Sequence, residues 1–309
     1  MVFDGHSDLL YDVMRRRLAG EHRVLERRHL KNLQRGGIEG MMLSIWAHPD
    51  GQQTYREYTE QMMDAARSEF EESPWLKVVS TAAEAKRVAE SGKCYAFLCV
   101  EGMAAVGEDL SYIDRYAAFG ARAGMLTWNE ENTLATGAGG DAKKGLTALG
   151  KQAVQRMQKL GMLVDVSHLN EGGFWDVIDL AEGPVIASHS NCRSLCNVPR
   201  NLKDDQLRAI RDTGGVVGIN VHHGFAHAEP AKQTVEMLAR HAVHMVEIMG
   251  IEHVACGFDF CEYFGPGNEG VQGMEDCSRT PNFFAELKKL GMTNGEMQLI
   301  ARENFLRIL

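Results

Sequence analysis

"GLTALGKQAVQRMQKLGMLVDVSH" (residues 145–168) is the stretch that decides the fold. Leu146, Leu149, Ala153, Met157 and Leu160 recur at helical spacing, so 146–160 reads as an amphipathic helix. Directly after it, "MLVDVS" (162–167) is a short apolar run of strand character, and His168 closes it. A helix thus feeds a strand whose end carries an imidazole.

The same unit recurs along the chain. Strand-like runs occur at 2–5, 37–47, 94–100, 121–128, 162–167, 184–189, 215–220 and 253–259. Helical patterns fill the intervals at 54–72, 82–91, 109–119, 146–160, 170–181, 203–213 and 230–249. Strands alternating with helices imply parallel pairing through crossovers. Eight such units predict an α/β fold, a (β/α)8 TIM-like barrel with its site at the C-terminal ends of the strands. Beyond the eighth strand, Thr280 before Pro281, and Thr293 three residues before Glu296, predict two further helix starts. No repeat, low-complexity tract or linker interrupts the chain, so residues 1–309 read as one domain.

The strand ends carry the chemistry. The first delivers His6 and Asp8 in "FDGHSD", the third Glu101 in "CVEG", the fifth His168, the sixth His189 in "ASHS" and the eighth Asp259 in "GFDF". In a parallel barrel all of these ends lie on one face. Singly, such a histidine is more often a core residue and such an acid a helix cap; together they form a nitrogen and oxygen ligand set without sulfur. That set suits zinc, with manganese, iron or cobalt as other divalent metals. Five ligands exceed the three of a single catalytic zinc and match two metals sharing a carboxylate. Such a pair, about 3.5–4 Å apart, holds a bridging hydroxide and polarises a carbonyl, which is the chemistry of hydrolysis.

Other signals are weaker. His222 and His223 follow the seventh strand and are candidates to line the pocket. His22, His29, His48, His227, His241, His244 and His253 read as surface or helix residues, and the arginines at 15–17 and 27–28 as solvated faces. "TGAGGD" (136–141) lacks the spacing and the strand-to-helix setting of a nucleotide loop. Ser167–His168 and Ser188–His189 are chain neighbours expected to point to opposite faces, which argues against a nucleophile–base pair.

Composition excludes several classes. The 309 residues are 44% hydrophobic and 24% charged, with a net charge of -9, so nucleic acid is not an expected partner. No run approaches the roughly 20 apolar residues of a membrane span, and no leader precedes "FDGHSDLL", so no membrane partner is expected. Seven cysteines without a CxxC pair read as reduced, and a cytoplasmic location follows.

Over nearly its whole length the chain resembles the zinc-dependent membrane (renal-type) dipeptidases, peptidase family M19. The resemblance is most specific in 145–168 and in "PVIASHSNCRSLCNVPRNLKDDQLRAIRDTGGVVGIN" (184–220). It implies a (β/α)8 barrel, a homodimer, a dipeptide substrate and two Zn2+ per chain. It implies that His6 and Asp8 hold one zinc, that His168 and His189 hold the other, and that Glu101 bridges them. Arg200, in "VPRN", would grip the substrate carboxylate, a task suited to a planar guanidinium. Asp259 would be the acid/base.

The match has departures. Where many members carry a histidine after the fourth strand, this chain has Trp128 followed by Asn129, which can donate a hydrogen bond but cannot shuttle a proton. After Asp259 the family's Phe-Asp-Gly is replaced by Phe260-Cys261-Glu262, and the glycine-rich loop 261–279 is a candidate to reshape the pocket. Substrate binding is therefore expected from Arg200, Asn129 and His223. The readings left beside dipeptide hydrolysis are a metal hydrolase acting on a lactam, N-acyl amino acid or lactone, and a catalytically silent metal-binding relative.

Overall fold

The computed structural model describes residues 1–309. Nine strands run through it: β1 (Val2–Ser7), β2 (Ile38–Trp46), β3 (Leu76–Val78), β4 (Cys94–Glu101), β5 (Ala121–Met125), β6 (Leu163–Asp165), β7 (Val185–Ile186), β8 (Val217–Ile219) and β9 (Val254–Cys256). Parallel ladders give the order β1-β2-β4-β5-β6-β7, and β8 pairs with β9. A bridge from Ala187 to Val217 links the two groups. Closure from β9 back to β1 uses few bonds. The Phe258 N–H donates to Asp4 Oδ1 at 2.7 Å, and the Asp259 N–H donates to the His6 carbonyl at 3.3 Å. The result is an eight-stranded α/β barrel, as expected. β3 is additional, and pairs outside the ring with the start of β4.

Strand alternation partitions the core. On β4, Tyr95, Phe97 and Cys99 belong to an inner cluster with Phe3, Met42, Ala123, Ile186 and Ala255. Ala96, Leu98 and Val100 join the larger cluster beneath the surrounding helices. Glu101 continues the inner phase of 95, 97 and 99, so the period of two carries its carboxylate into the barrel mouth. On β1 the phase breaks. Phe3 and Gly5 face inward, and Gly5 is obligatory because a Cβ would overlap the Phe305 ring. The register against β2 then slips between Asp4 and Ser7. This irregularity turns His6 inward as well, as bulges do at barrel rims.

The predicted helices form with small end shifts, including Tyr55–Glu72, Ala148–Lys159 and Val235–Met249. Thr293 closes a reciprocal capping box with Glu296, and Thr280 begins the helix that holds Pro281. Helical structure at Leu9–Leu18 and Leu25–Gly36 lies where no pattern had been assigned. No helix is long and apolar enough to cross a membrane. All seven cysteines are free thiols.

The arginine run at 15–17 corrects its reading as a solvated face. Arg15 is half exposed, but Arg16 reaches the buried Asp12 carboxylate at 2.7 Å. Arg17 forks onto Glu72 at 2.8 and 3.0 Å and touches Glu69 at 3.0 Å. Glu69 is wholly buried and also accepts the Leu25 N–H at 2.8 Å. Removing one partner of a buried pair strands the other charge. Arg17→Met is therefore expected to destabilise the fold by about 3 kcal/mol, read as a lower urea midpoint at unchanged m. An unchanged midpoint would show that the Arg17–Glu69 contact contributes nothing measurable to stability. His29 and His241, read as surface or helix residues, lie in helical segments and are buried there. His29 Nε2 meets Asp12 at 2.8 Å, and His241 bonds to Cys192 N and Ala226 O.

Candidate metal centre

His168, His189 and Asp259 do not sit within strands. β6, β7 and β9 stop at Asp165, Ile186 and Cys256, short of the predicted 167, 189 and 259. Side chains replace the ladder beyond those points. Asp165 Oδ1 accepts the N–H of Ser167 at 3.0 Å, the hydroxyl of Ser167 at 2.7 Å and the N–H of Ser188 at 3.1 Å. That one buried carboxylate fixes both histidine-bearing turns. Sequence reading passed over it, although "VDVSH" and "IASHS" carry the acid and the serines that it joins.

The strand-end residues converge. Glu101 Oε2 lies 3.0 Å from His6 Nε2, and Oε1 lies 2.8 Å from His168 Nε2 and 3.9 Å from His189 Nε2. His168 Nε2 and His189 Nε2 are 2.9 Å apart. Asp8 Oδ1 stands 3.6 Å from His6 Nε2 and is buried without a hydrogen-bond partner. Ligand atoms of His6, Glu101 and His189 form one group within 4.8 Å of one another, and those of His6, Asp8 and Asp259 form another. His6 and Glu101 stand between the two histidines on one side and the two aspartates on the other.

Electrostatics explain what this arrangement wants. Burial, then the Asp8 carboxylate, raises the proton affinity of Glu101. Burial drives His168 and His189 strongly towards the neutral form. For His6 burial works the same way, but Glu101 and Asp8 outweigh it and hold its affinity high. The Asn129 carbonyl oxygen lies 3.0 Å from His168 Nδ1. An amide oxygen only accepts, so His168 carries its proton on Nδ1 and turns a lone pair on Nε2 towards Glu101 and His189. A lone pair facing a carboxylate oxygen on one side of Glu101, and an unpartnered Asp8 oxygen beside His6 on the other, suit bound cations. The residues fit one or more divalent metal ions of the zinc type.

Ser188 corrects the expectation for its dipeptide. Its Oγ lies 2.8 Å from His189 Nδ1 despite being the adjacent residue. The hydroxyl is buried behind the imidazole, so it orients the ring and leaves Nε2 free. Such outer partners tune metal affinity by about 10–100-fold. Asn129→Ala is expected to weaken metal binding by about that factor, measured by competition with a chromogenic chelator. Unchanged affinity would mean that the His168 ring is held by packing alone.

The cluster floors a cavity of about 270 Å³ lined by Asp8, Trp46, Glu101, Trp128, Asn129, His168, Arg200, His222, Phe225, Asp259, Cys261, Phe264 and Asn268. His222 lines it; His223, the expected contact, does not. Arg200 is buried, and burial pushes it down to about 10, so it stays charged at neutral pH. It donates to the carbonyls of Ser167 and His189, its Nη2 lies 3.2 Å from His168 Nε2, and its Nε is buried without a partner. Asp259 has φ of 59°, a left-handed conformation that aims its carboxyl at the cluster. Asn220 Nδ2 donates to Asp259 Oδ2 at 3.0 Å. Burial raises the Asp259 carboxyl, with the charge on His6 opposing it.

Comparison with known proteins agrees with this geometry. The family model for membrane dipeptidases, peptidase family M19, matches residues 1–309. An uncharacterized protein in the pqqA 5' region of Klebsiella pneumoniae is 33% identical over 243 residues, 76% of this chain and 88% of that one. The dipeptidase tcpJ of Claviceps purpurea is 30% identical over 236 residues, 76% of this chain but only 55% of its own length, so the chain spans about half of that longer relative. A Rhodobacter sphaeroides metallopeptidase, solved with a phosphinate mimic of the dipeptide L-Ala-D-Ala, superposes with a TM-score of 0.89 at 26% identity, covering 99% of this chain and 97% of that one. With a buried His/Glu cluster at the mouth of the barrel and a family match from end to end, the chain belongs to peptidase family M19, the membrane dipeptidase family of metallopeptidases.

Proposed function

We propose that the protein hydrolyses the peptide bond of dipeptides at a binuclear zinc site held by His6, Asp8, Glu101, His168 and His189. The observation that carries this is the convergence of those five side chains into one cluster, of which Asp8, Glu101 and His168 line a small cavity together with Arg200 and Asp259. When bound, two zinc ions supply Lewis-acid polarisation of the scissile carbonyl and acidify the attacking water. Arg200 pairs with the substrate's C-terminal carboxylate through charge-assisted hydrogen bonds, which fixes the carbonyl over the cluster. Asp259 takes the proton of the attacking water and returns it to the leaving nitrogen; a carboxyl raised by burial suits both transfers. Asn220 holds that carboxyl in place.

A cavity of about 270 Å³ lies just below the ~300–1,000 Å³ of typical ligand sites, which favours a dipeptide over a longer peptide. The homodimer and the cytoplasmic location belong to the same proposal, and sedimentation of the purified protein tests the first. The decisive experiment combines metal analysis with a panel of L,L- and L,D-dipeptides, N-acyl amino acids, lactams and lactones. Two metal equivalents per chain and turnover of dipeptides are expected. Turnover confined to lactams, N-acyl amino acids or lactones would move the protein to another metal-hydrolase class. Metal without turnover across the panel would leave a silent relative.

A further inference from the structure

Besides Phe225, over which the Arg200 guanidinium lies, three aromatic rings line the cavity. Trp46 ends β2, Trp128 follows β5, and Phe264 lies in the loop after β9. Their rings form one surface, with centroids 5.4 Å apart for Trp46 and Trp128 and 6.0 Å for Trp46 and Phe264. Two of the chain's four tryptophans are committed to it. The surface is braced from behind. Tyr11 packs on Trp46 at 5.4 Å and on Phe264 at 4.8 Å, and His48 stacks flat on Trp46 at 5.3 Å with 3° between the ring planes. A wall of interlocked rings does not reshape itself around a small side chain, and it offers no charged partner.

Strand order fixes which end of a dipeptide meets it. Arg200 follows β7, and its guanidinium lies over the Phe225 ring at 5.4 Å, so the carboxylate end sits on the β7–β8 side. The metal-competent cluster occupies the middle. A dipeptide anchored at Arg200 and crossing that cluster presents its first residue to the arc that runs from β9 through β1 and β2 to β5, where the three rings stand. The rings on that arc offer no charged group to pair with an acidic side chain.

Resting on the dipeptidase reading, we propose that Trp46, Trp128 and Phe264 form the acyl-side specificity pocket, and that the preferred substrates carry an aromatic or large aliphatic first residue. A hydrophobic pocket discriminates by about 10–200-fold for each small apolar increment.

The test is kcat/KM of the zinc-loaded full chain for Phe-Ala, Leu-Ala, Ala-Ala and Asp-Ala, each with L- and D-alanine in second place. Phe-Ala and Leu-Ala are expected to exceed Ala-Ala by about 10-fold or more, with Asp-Ala the poorest. Trp46→Ala and Trp128→Ala should each lower the Phe-Ala to Ala-Ala ratio by about 10-fold, and Trp128→Phe, which keeps a ring, should largely retain it. Circular dichroism and thermal melts certify that each variant is folded. Dipeptide turnover with no preference for the larger first residue, or a ratio unmoved in both folded alanine variants, overturns this inference and leaves the dipeptidase reading standing. No turnover of any dipeptide removes the reading itself.

Discussion

Asp259→Asn is expected to lower kcat by about two to four orders of magnitude, the usual weight of a positioned acid/base, while metal content stays at the wild-type level. The substitution isolates proton transfer. Asparagine tolerates the left-handed backbone at φ 59°, so the turn after β9 keeps its shape. Its amide oxygen can still accept from Asn220 Nδ2, as the carboxylate oxygen does at 3.0 Å. What is lost is a group that binds and releases a proton. KM should move little, because the proposed function gives substrate binding to Arg200 and not to Asp259. Metal equivalents and kcat are measured on the same preparation. Wild-type turnover at full metal loading would falsify the role given to Asp259; loss of metal alongside activity would make it a ligand instead, through its group with His6 and Asp8.

Glu101→Gln should be more severe. The two carboxylate oxygens reach opposite ways, one 3.0 Å from His6 and the other 2.8 Å from His168, so one side chain ties the two halves of the cluster. Glutamine keeps the volume, the strand phase and one accepting oxygen. It removes the negative charge, and it puts an NH2 group where one of the two histidines now meets a carboxylate oxygen. Loss of at least one of two metal equivalents is expected, with kcat/KM down by about three orders of magnitude or more, ~4 kcal/mol of transition-state stabilisation. The thermal transition of the metal-loaded protein should fall as well, because bound ligand stabilises by mass action. Plasma emission analysis and a melt read both. Two equivalents retained with turnover near wild type would show that each half of the site holds its metal without a shared carboxylate.

Much of this site was legible in the sequence because barrel topology does the work. Parallel strands put every C-terminal end on one face, so finding His6, Asp8, Glu101, His168, His189 and Asp259 after successive strands was enough to bring them together. Arg200 rested on the resemblance of "VPRN" alone, and it too lines the cavity. His222 rather than His223 lines the cavity because the chain turns into a short helix there, with His222 as the cap, and a one-residue choice at a turn is set by backbone angles that no residue pattern records. Asn129, read as a substrate group, lines the cavity, and its carbonyl oxygen also lies 3.0 Å from His168 Nδ1, a contact no residue pattern announced.

The alternation of the eight barrel strands with their crossover helices and the nitrogen and oxygen character of the ligand set were legible in local residue patterns, because periodicity and residue chemistry are local properties; β3 and the helices at Leu9–Leu18 and Leu25–Gly36 were not. Tertiary structure alone decided the phase slip that turns His6 inward beside Gly5, and the Asp165 carboxylate that ties the two histidine turns. It alone assembled the aromatic wall from the end of β2 and two distant loops. Each of those depends on which atoms meet across the barrel, and separation along the chain carries no trace of distance across a closed sheet.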